Sequence, residues 1–334
     1  NIQPLLNHPA FHFIRHDVTR ELPALPRVDR VFHLASPASP IGYTRLPIET
    51  MLANSEGTRR LIGLALRDKA RFLFTSTSEV YGDPLVHPQC ETYRGNVSSI
   101  GPRATYDESK RYGEAMTMAY VRSYGLSGRI VRIFNTYGPC ADVMDGRVVV
   151  NFIGQALRGE PMTIYGDGMQ TRSLCYVTDL VDGLMAVMES DRTSGEVVNL
   201  GNPDEHTVLE IAEIVRRLTS SSSPFIFTEP AVGDDPRVRR PDIGKARGLL
   251  GWEPHTPLED GLRVMIREMQ GALNGNGVHA NGGHPNGTHP NGVHTNGAHA
   301  NGVVLASHGA AENGLNGAAL AHSNGSAEPG ELTA

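Results

Sequence analysis

Short runs of consecutive β-branched and aromatic residues alternate along this chain with longer stretches in which apolar residues return every three or four positions. The first pattern suits strands covered on both faces and the second suits helices with one apolar stripe; their alternation predicts an α/β fold around a parallel sheet. Strands are predicted over 11–16, 29–35, 71–75, 130–134, 162–165 and 197–200. Helical spacing covers 47–67, where Ile48, Met51, Leu52, Leu61, Ile62, Leu64 and Ala65 recur, and then 148–157, 179–188, 246–252 and 258–269. A further helix runs from Tyr106 through Tyr120 to about Tyr124 and stops at Gly125, a residue free to take the left-handed conformation of a helix end. Over 208–218, Leu209, Ile211, Ala212, Ile214, Val215 and Leu218 fall on or near one face.

Beyond residue 271 both periodicities stop. His279, His284, His289, His294 and His299 recur every five residues among Asn-Gly pairs, and lysine and arginine vanish. Such a tract cannot bury a core, so 272–334 is expected to be a tail without fixed structure, whose imidazoles could collect zinc, copper or nickel. No metal site is predicted in the body of the chain. The 334 residues suffice for one large or two modest domains, and a net charge of -6 without a basic block gives no reason to expect nucleic acid or an anionic membrane as partner. Cys90, Cys140 and Cys175 match neither a disulfide framework nor a zinc pattern, which points to a reducing, cytoplasmic setting, and no apolar run reaches membrane-spanning length.

Candidate chemistry concentrates between Thr75 and Lys110. The strand 71–75 runs into Ser76, Thr77, Ser78 and Glu79, so polar groups arrive at the end of a buried strand, where open parallel sheets receive ligands. Tyr106 and Lys110 are four apart and share a helix face. A tyrosine titrates near ~10, so a tyrosine base needs a neighbouring cation, which Lys110 is expected to supply.

The motifs around these residues resemble those of the extended short-chain dehydrogenases/reductases that act on nucleotide sugars, within them the UDP-glucuronate decarboxylases. The segments that carry the likeness run from His33 to Pro40, Ser76 to Pro84, Ile100 to Lys110, Arg132 to Pro139, Tyr165 to Arg172 and Arg239 to Ile243. The resemblance implies a Rossmann-type doubly wound parallel sheet formed by 1–138 and 172–200, with a nucleotide-sugar lobe formed by 139–171 and 201–271. It implies NAD as cofactor, UDP-glucuronate as substrate and a homodimer. Catalysis would fall to Thr77, Ser78, Glu79, Tyr106, Lys110 and Arg239: Tyr106 takes the O4 proton, Thr77 binds the same oxygen, and Arg239 acts with Glu79 around the sugar carboxylate. NAD contacts would be Asp17, Val18, Leu34, Ala35, Ser36, Ala38, Tyr43, Thr136 and Arg147, besides Tyr106 and Lys110. Arg103, Tyr120, Asn135, Asn151, Tyr165 and Arg172 would join Thr77, Ser78 and Arg239 on the substrate, with Arg172 on the diphosphate.

The residues leave some readings open. Asp17 could equally cap a turn, and Cys140, where relatives often carry arginine, reads as a small buried thiol and not as a nucleophile. Leu52 stands where relatives often have lysine. The chain opens at Asn1 with no Gly-x-x-Gly-x-x-Gly ahead of its first strand-like run, so a missing first strand, glycine turn and helix is expected, with weakened cofactor affinity. Ser78 before Glu79 disfavours a 4,6-dehydratase, which has Asp-Glu there, and Glu79 disfavours a 4-epimerase. A non-catalytic binder of sugar nucleotides is the remaining alternative.

Overall fold

The computed structural model describes residues 2–142, 146–229 and 236–274, and the backbone of 304–306. The histidine-rich repeat lies outside the described residues. In chain order, β1 (Arg30–His33) leads through α1 (Pro40–Arg45) to α2 (Pro47–Leu52), a π turn (Ala53–Gly57) and α3 (Thr58–Asp68). Next come β2 (Arg71–Thr77), a 3-10 turn (Ser78–Tyr81), α4 (Ala104–Tyr124), β3 (Gly128–Ile133), β4 (Thr136–Tyr137), α5 (Val148–Arg158) and β5 (Met162–Tyr165). The order closes with β6 (Thr171–Ser173), β7 (Cys175–Tyr176), α6 (Val177–Glu189), β8 (Val197–Leu200), β9 (Glu205–Thr207), α7 (Val208–Leu218), β10 (Phe225–Thr228), α8 (Gly244–Leu250), α9 (Leu258–Leu273) and β11 (Val304–Ala306).

β1, β2, β3 and β8 pair in parallel, as the unbroken apolar runs predict, and Val304–Ala306 joins β1 antiparallel at the edge. That strand arises inside the stretch expected to lack structure: its Val-Leu-Ala interrupts the Asn/Gly tract, and the open edge of β1 offers unpaired backbone groups to it. The strand expected over 11–16 does not form. Phe13 and Ile14 are about half exposed, and the chain enters the core only at Val18.

One face of the sheet is covered by α3 and α4, with Leu61, Ile62, Phe72, Phe74 and Ile130 in the core between them. The other face is covered by α6 and α8, around Leu73, Val131, Leu184, Val198 and Trp252. Ile243, Ala246 and Trp252 therefore pack beneath the sheet and not in the sugar lobe to which 201–271 was assigned. The lobe has its own core, built from α5, α7, α9 and β5 around Phe152, Ile153, Ile164, Ile211 and Leu262. α7 starts in a capping box, with the Thr207 hydroxyl accepting from the Glu210 amide and the Glu210 carboxylate from the Thr207 amide, which satisfies two donors that a helix start leaves unpaired.

Candidate active site

β2 is buried from Phe72 to Thr77 and ends at the carboxyl edge of the sheet. There the Thr77 hydroxyl accepts from the Glu79 amide at 3.2 Å and opens the 3-10 turn, which turns Glu79 into the cleft. α4 brings Tyr106 and Lys110, 6% and 3% exposed, against the same strand. The Lys110 ammonium donates to the Thr75 carbonyl at 2.8 Å and lies 5.8 Å from the centre of the Tyr106 ring. Tyr43, from α1, stacks on Tyr106 with ring centres 5.1 Å apart and planes 9° from parallel. Two sequence-distant segments thus clamp the tyrosine.

Glu79 is gripped from two sides. Arg103, at the cap of α4, donates to its Oε2 at 2.7 Å, and Arg239 donates to the same oxygen at 3.1 Å and to the Ser78 carbonyl at 2.7 Å. Burial alone would push the Glu79 carboxyl up, but Arg239 and Arg103, with Arg172 adding to them, hold it below the usual carboxylate range. Asp107, one residue after the tyrosine, goes the other way: burial, reinforced by the charge on Glu79, pushes it up to about 7, and its Oδ1 is buried without a partner.

All six catalytic candidates, Thr77, Ser78, Glu79, Tyr106, Lys110 and Arg239, line one cavity of about 1290 Å³. Leu34, Ser36, Ala38, Tyr43, Thr136 and Arg147 line it from the cofactor set, and Arg103, Asn135, Asn151, Tyr165 and Arg172 from the substrate set. Arg172 also braces the wall, donating to the Pro236 carbonyl at 2.9 Å. Four expectations meet a different placement or environment. Asp17 closes a turn, its carboxylate accepting from the Thr19 amide at 2.9 Å and hydroxyl at 2.8 Å, while Val18 and Ala35 are buried in the core beside α3; none of the three reaches the cavity. Tyr120 lies about 21 Å along α4 from Tyr106 at 1.5 Å per residue, where it packs with Tyr124 at 5.1 Å, too far along the helix for the substrate. Cys140 is exposed, not buried: it lines the cavity at a φ of 61°, and its amide donates to both oxygens of Glu268 at 2.7 and 2.9 Å. Partial burial and Glu268 raise its thiol, which leaves no activated nucleophile there. The fourth concerns the tyrosine. Burial raises Tyr106 well above its ordinary range, against the lowering pull of the Thr77 hydrogen bond and of Arg147, while burial brings Lys110 down to about 7. In the protein alone desolvation therefore outweighs the cation.

Several working residues escaped the sequence reading. Asn54 sits in the π turn, whose widened backbone lets its amide donate to Ser36 and Ser109, each at 3.0 Å, tying α3, the cofactor wall and α4 together. Glu114 and Arg132 form a nearly buried ion pair behind β2. A signal for the pair was present: Arg132 interrupts an apolar strand, and Glu114 follows Lys110 by four on the same helix face.

The donor set suits a nicotinamide dinucleotide at its reactive end. Leu34 keeps a large apolar side chain 48% exposed just past β1, in a cavity that Ser36 and Lys110 also line, so an apolar platform and polar donors share one space.

Residues 6–201 match the NAD dependent epimerase/dehydratase family. UDP-glucuronic acid decarboxylase 5 of Arabidopsis thaliana is 52% identical over 279 residues, covering 84% of this chain and 80% of that protein. UDP-glucuronic acid decarboxylase 1 of Danio rerio is 52% identical over 267 residues, 80% of this chain and 63% of its own length. Among solved structures, UDP-glucuronic acid 4-epimerase from Bacillus cereus in complex with UDP-glucuronic acid and NAD superposes with a TM-score of 0.71 at 28% identity, over 80% of this chain and 83% of that one. UDP-glucose 4-epimerase of Thermotoga maritima with UDP-glucose gives 0.68 at 31% identity, over 73% and 78%. With the parallel sheet, the Tyr-Lys pair at its carboxyl edge and these matches in agreement, the chain belongs to the NAD-dependent epimerase/dehydratase family.

Proposed function

We propose that this protein decarboxylates UDP-glucuronate to UDP-xylose with NAD as cofactor. The observation that carries the reading is the grip of Arg103 and Arg239 on Glu79 within the cavity that also holds Tyr106 and Thr77. Arg172 lines the same cavity, so among the described residues three guanidiniums surround Glu79, donors of the kind that bind a diphosphate and a sugar acid.

Bound NAD supplies the hydride acceptor for C4 and the donor that later restores it. Tyr106, neutral in the protein alone, receives the O4 proton as its phenolate, a form that the positive charge of an oxidised nicotinamide bound beside Lys110 would favour, and the Thr77 hydroxyl orients the same oxygen. The ketone then lies β to the C6 carboxylate. The C5–C6 bond breaks with its electrons delocalised onto O4, where Tyr106, now protonated, donates a hydrogen bond to the growing charge. Arg103 and Arg239 position the carboxylate, but Glu79 already occupies part of their donor capacity. A carboxylate bound less tightly than two free guanidiniums would bind it leaves more readily as carbon dioxide, since ground-state binding alone adds nothing to the rate. Protonation at C5 and restoration of C4 complete UDP-xylose.

Incubating the protein with UDP-glucuronate and NAD and following nucleotide sugars by mass spectrometry and NMR tests this reading; UDP-xylose and carbon dioxide are the expected products. The structural likeness to a UDP-glucuronic acid 4-epimerase favours one second reading, inversion at C4 with the carboxylate retained. A product of unchanged mass would select it. Glu79→Gln, which frees Arg103 and Arg239 to hold the sugar carboxylate in the ground state, is expected to keep UDP-sugar binding and to lose most carbon dioxide release. Near-normal turnover in that variant would exclude Glu79 from the chemistry.

The protein is further proposed to be a cytoplasmic homodimer. Ile48, Met51 and Leu52 on α2 and Tyr112 on the adjacent α4 leave apolar surface exposed, which a second copy would cover. Sedimentation at micromolar concentration tests it, a monomer being the opposing result. The three cysteines are free thiols, in keeping with a reducing compartment.

A further inference from the structure

Behind β2, the carboxylate of Glu114 accepts from the hydroxyl of Ser76, itself a residue of the cavity lining, at 2.6 Å and from Arg132 through Nε at 2.9 Å and a terminal nitrogen at 2.7 Å. Both side chains of the ion pair are 12% exposed. A buried pair of this kind roughly breaks even against apolar packing, so stability gives it little reason to exist. Its position offers a different one. Glu114 is one helical turn beyond Lys110, on the face that packs against β2, and Ser76 adjoins both Thr75, whose carbonyl holds the Lys110 ammonium, and Thr77.

We infer that Glu114, held by Arg132 and Ser76, is a positioning residue that keeps Lys110 charged and in place, and so deepens the function proposed above, on which its catalytic consequence rests. Lys110 faces Glu114 and Tyr106 on its own helix, the Thr75 carbonyl and the Phe74 ring on β2, and His33 on β1. His33 is buried and held neutral, its titration pushed down to about 3 by burial and by Lys110 itself, so it supplies no counter-charge. Against the burial of the ammonium, Glu114 is the opposing charge.

The same pair starts a hydrogen-bond path to the far wall of the site. Arg132 donates to the Tyr81 hydroxyl at 3.0 Å, Tyr81 to the Asn199 amide oxygen at 2.8 Å, and Asn199 to the Gln89 carbonyl at 3.0 Å. The Gln89 side-chain oxygen accepts from the Arg240 amide at 2.9 Å, next to Arg239. One buried ion pair thereby reaches both the tyrosine-lysine end and the arginine end of the cavity.

The test is Glu114→Gln. Glutamine keeps the shape and can still accept from Arg132 or Ser76, but it removes the anion and leaves the Arg132 guanidinium facing Lys110, so both changes act in one direction. The chain contains three lysines, Lys69, Lys110 and Lys245, so the Lys110 ammonium can be followed by NMR of 13C-labelled lysine without any reaction taking place. Its titration midpoint is expected to fall by about one pH unit, the low end of the effect of an adjacent opposite charge. In turnover the alkaline limb of kcat should move to lower pH by a similar amount with KM for UDP-glucuronate unchanged. An unmoved lysine midpoint, or a rate reduced by the same factor at every pH, would overturn the inference. If the glutamine variant does not fold, Ser76→Ala loosens the same carboxylate and must displace the Lys110 midpoint in the same direction, an unmoved midpoint again overturning it. Absence of turnover in the unaltered protein would overturn the proposed function and leave the lysine titration to decide this inference.

Discussion

Asp107 and Glu79 share one buried cluster and have opposite proton affinities, because the arginines are bonded to one and not to the other. The carboxyl of Asp107 is raised from 3.8 to about 7 by burial first and by Glu79 second. A group with a raised folded-state value binds its proton more tightly in the native protein. Its contribution to stability is complete below about pH 3.8 and is lost as pH climbs through about 7. Asp107→Asn, which resembles the protonated form, should therefore match the parent near pH 4 and exceed it at pH 8 by about 2 kcal/mol, a reduced share of the full linkage value. Urea midpoints at the two pH values measure it; equal midpoints at pH 8 would show that Asp107 is ionised at no cost. His33 runs the opposite way. Its lowered titration adds stability that is whole above pH 6.5 and lost on acidification toward about 3, so comparison at matched pH is needed to isolate Asp107.

At the scale of elements, the Tyr106–Lys110 pair depends on how closely α4 approaches β2. A Cβ at Gly113 would lie 2.3 Å from the Phe74 ring tip and 2.9 Å from two further ring carbons, so glycine is required for the helix to lie flat on the ring. The Lys110 ammonium sits 5.0 Å from the centre of that same ring. Gly113→Ala should cost about 2 kcal/mol through overpacking and lower kcat more than it raises KM, since it shifts Lys110 and Tyr106 while leaving Arg172 in place. Thermal unfolding and steady-state kinetics on one preparation check both halves. The helix, its Gly125 stop and the Tyr106–Lys110 face were legible in sequence because they follow from a period of 3.6 and from a single permissive residue. The depth of burial was not. Periodicity says which side of a helix is covered but not by how much, and burial is what raises Tyr106 and Asp107 and lowers Lys110. The run over 11–16 misled for a related reason: an apolar run makes a strand only where a neighbour takes up its hydrogen bonds, and among the described residues no strand pairs with it.

At the scale of the whole molecule, the chain crosses repeatedly between the sheet and the smaller lobe, and the crossings are stitched to one another. The segment before α8 carries Arg239 into the cavity and is itself held on both sides: the Thr171 amide donates to the Arg237 carbonyl at 3.0 Å, the Ser173 amide to the Arg239 carbonyl at 3.1 Å, and the Asp242 amide to the Gln89 carbonyl at 2.8 Å. A second stitch is Asp179, 2% exposed in the first turn of α6, which accepts from the Thr256 amide at 2.9 Å, the Thr256 hydroxyl at 3.0 Å and the His255 amide at 3.3 Å. Nearby, the Trp252 indole donates to the Asp179 carbonyl at 3.0 Å, so the segment leading into α9 is pinned to the helix that covers the sheet. Sequence reading placed α8 and Trp252 in the lobe, because a chain that returns to a sheet late leaves no periodic mark of its destination. Asp179→Ala would strand the amides of His255 and Thr256, both part-buried, and is expected to destabilise the protein by about 2 kcal/mol. Because α6 belongs to the sheet layer and α9 to the lobe core, the way in which that loss appears distinguishes two designs. If the stitches make one cooperative unit, the urea transition of the variant moves to lower concentration and stays single, with fluorescence of Trp252, the sole tryptophan, and far-ultraviolet circular dichroism coincident. If the lobe is held by Asp179 alone, the two signals separate, and the position of Arg239 would then depend on one carboxylate and not on the whole set of crossings.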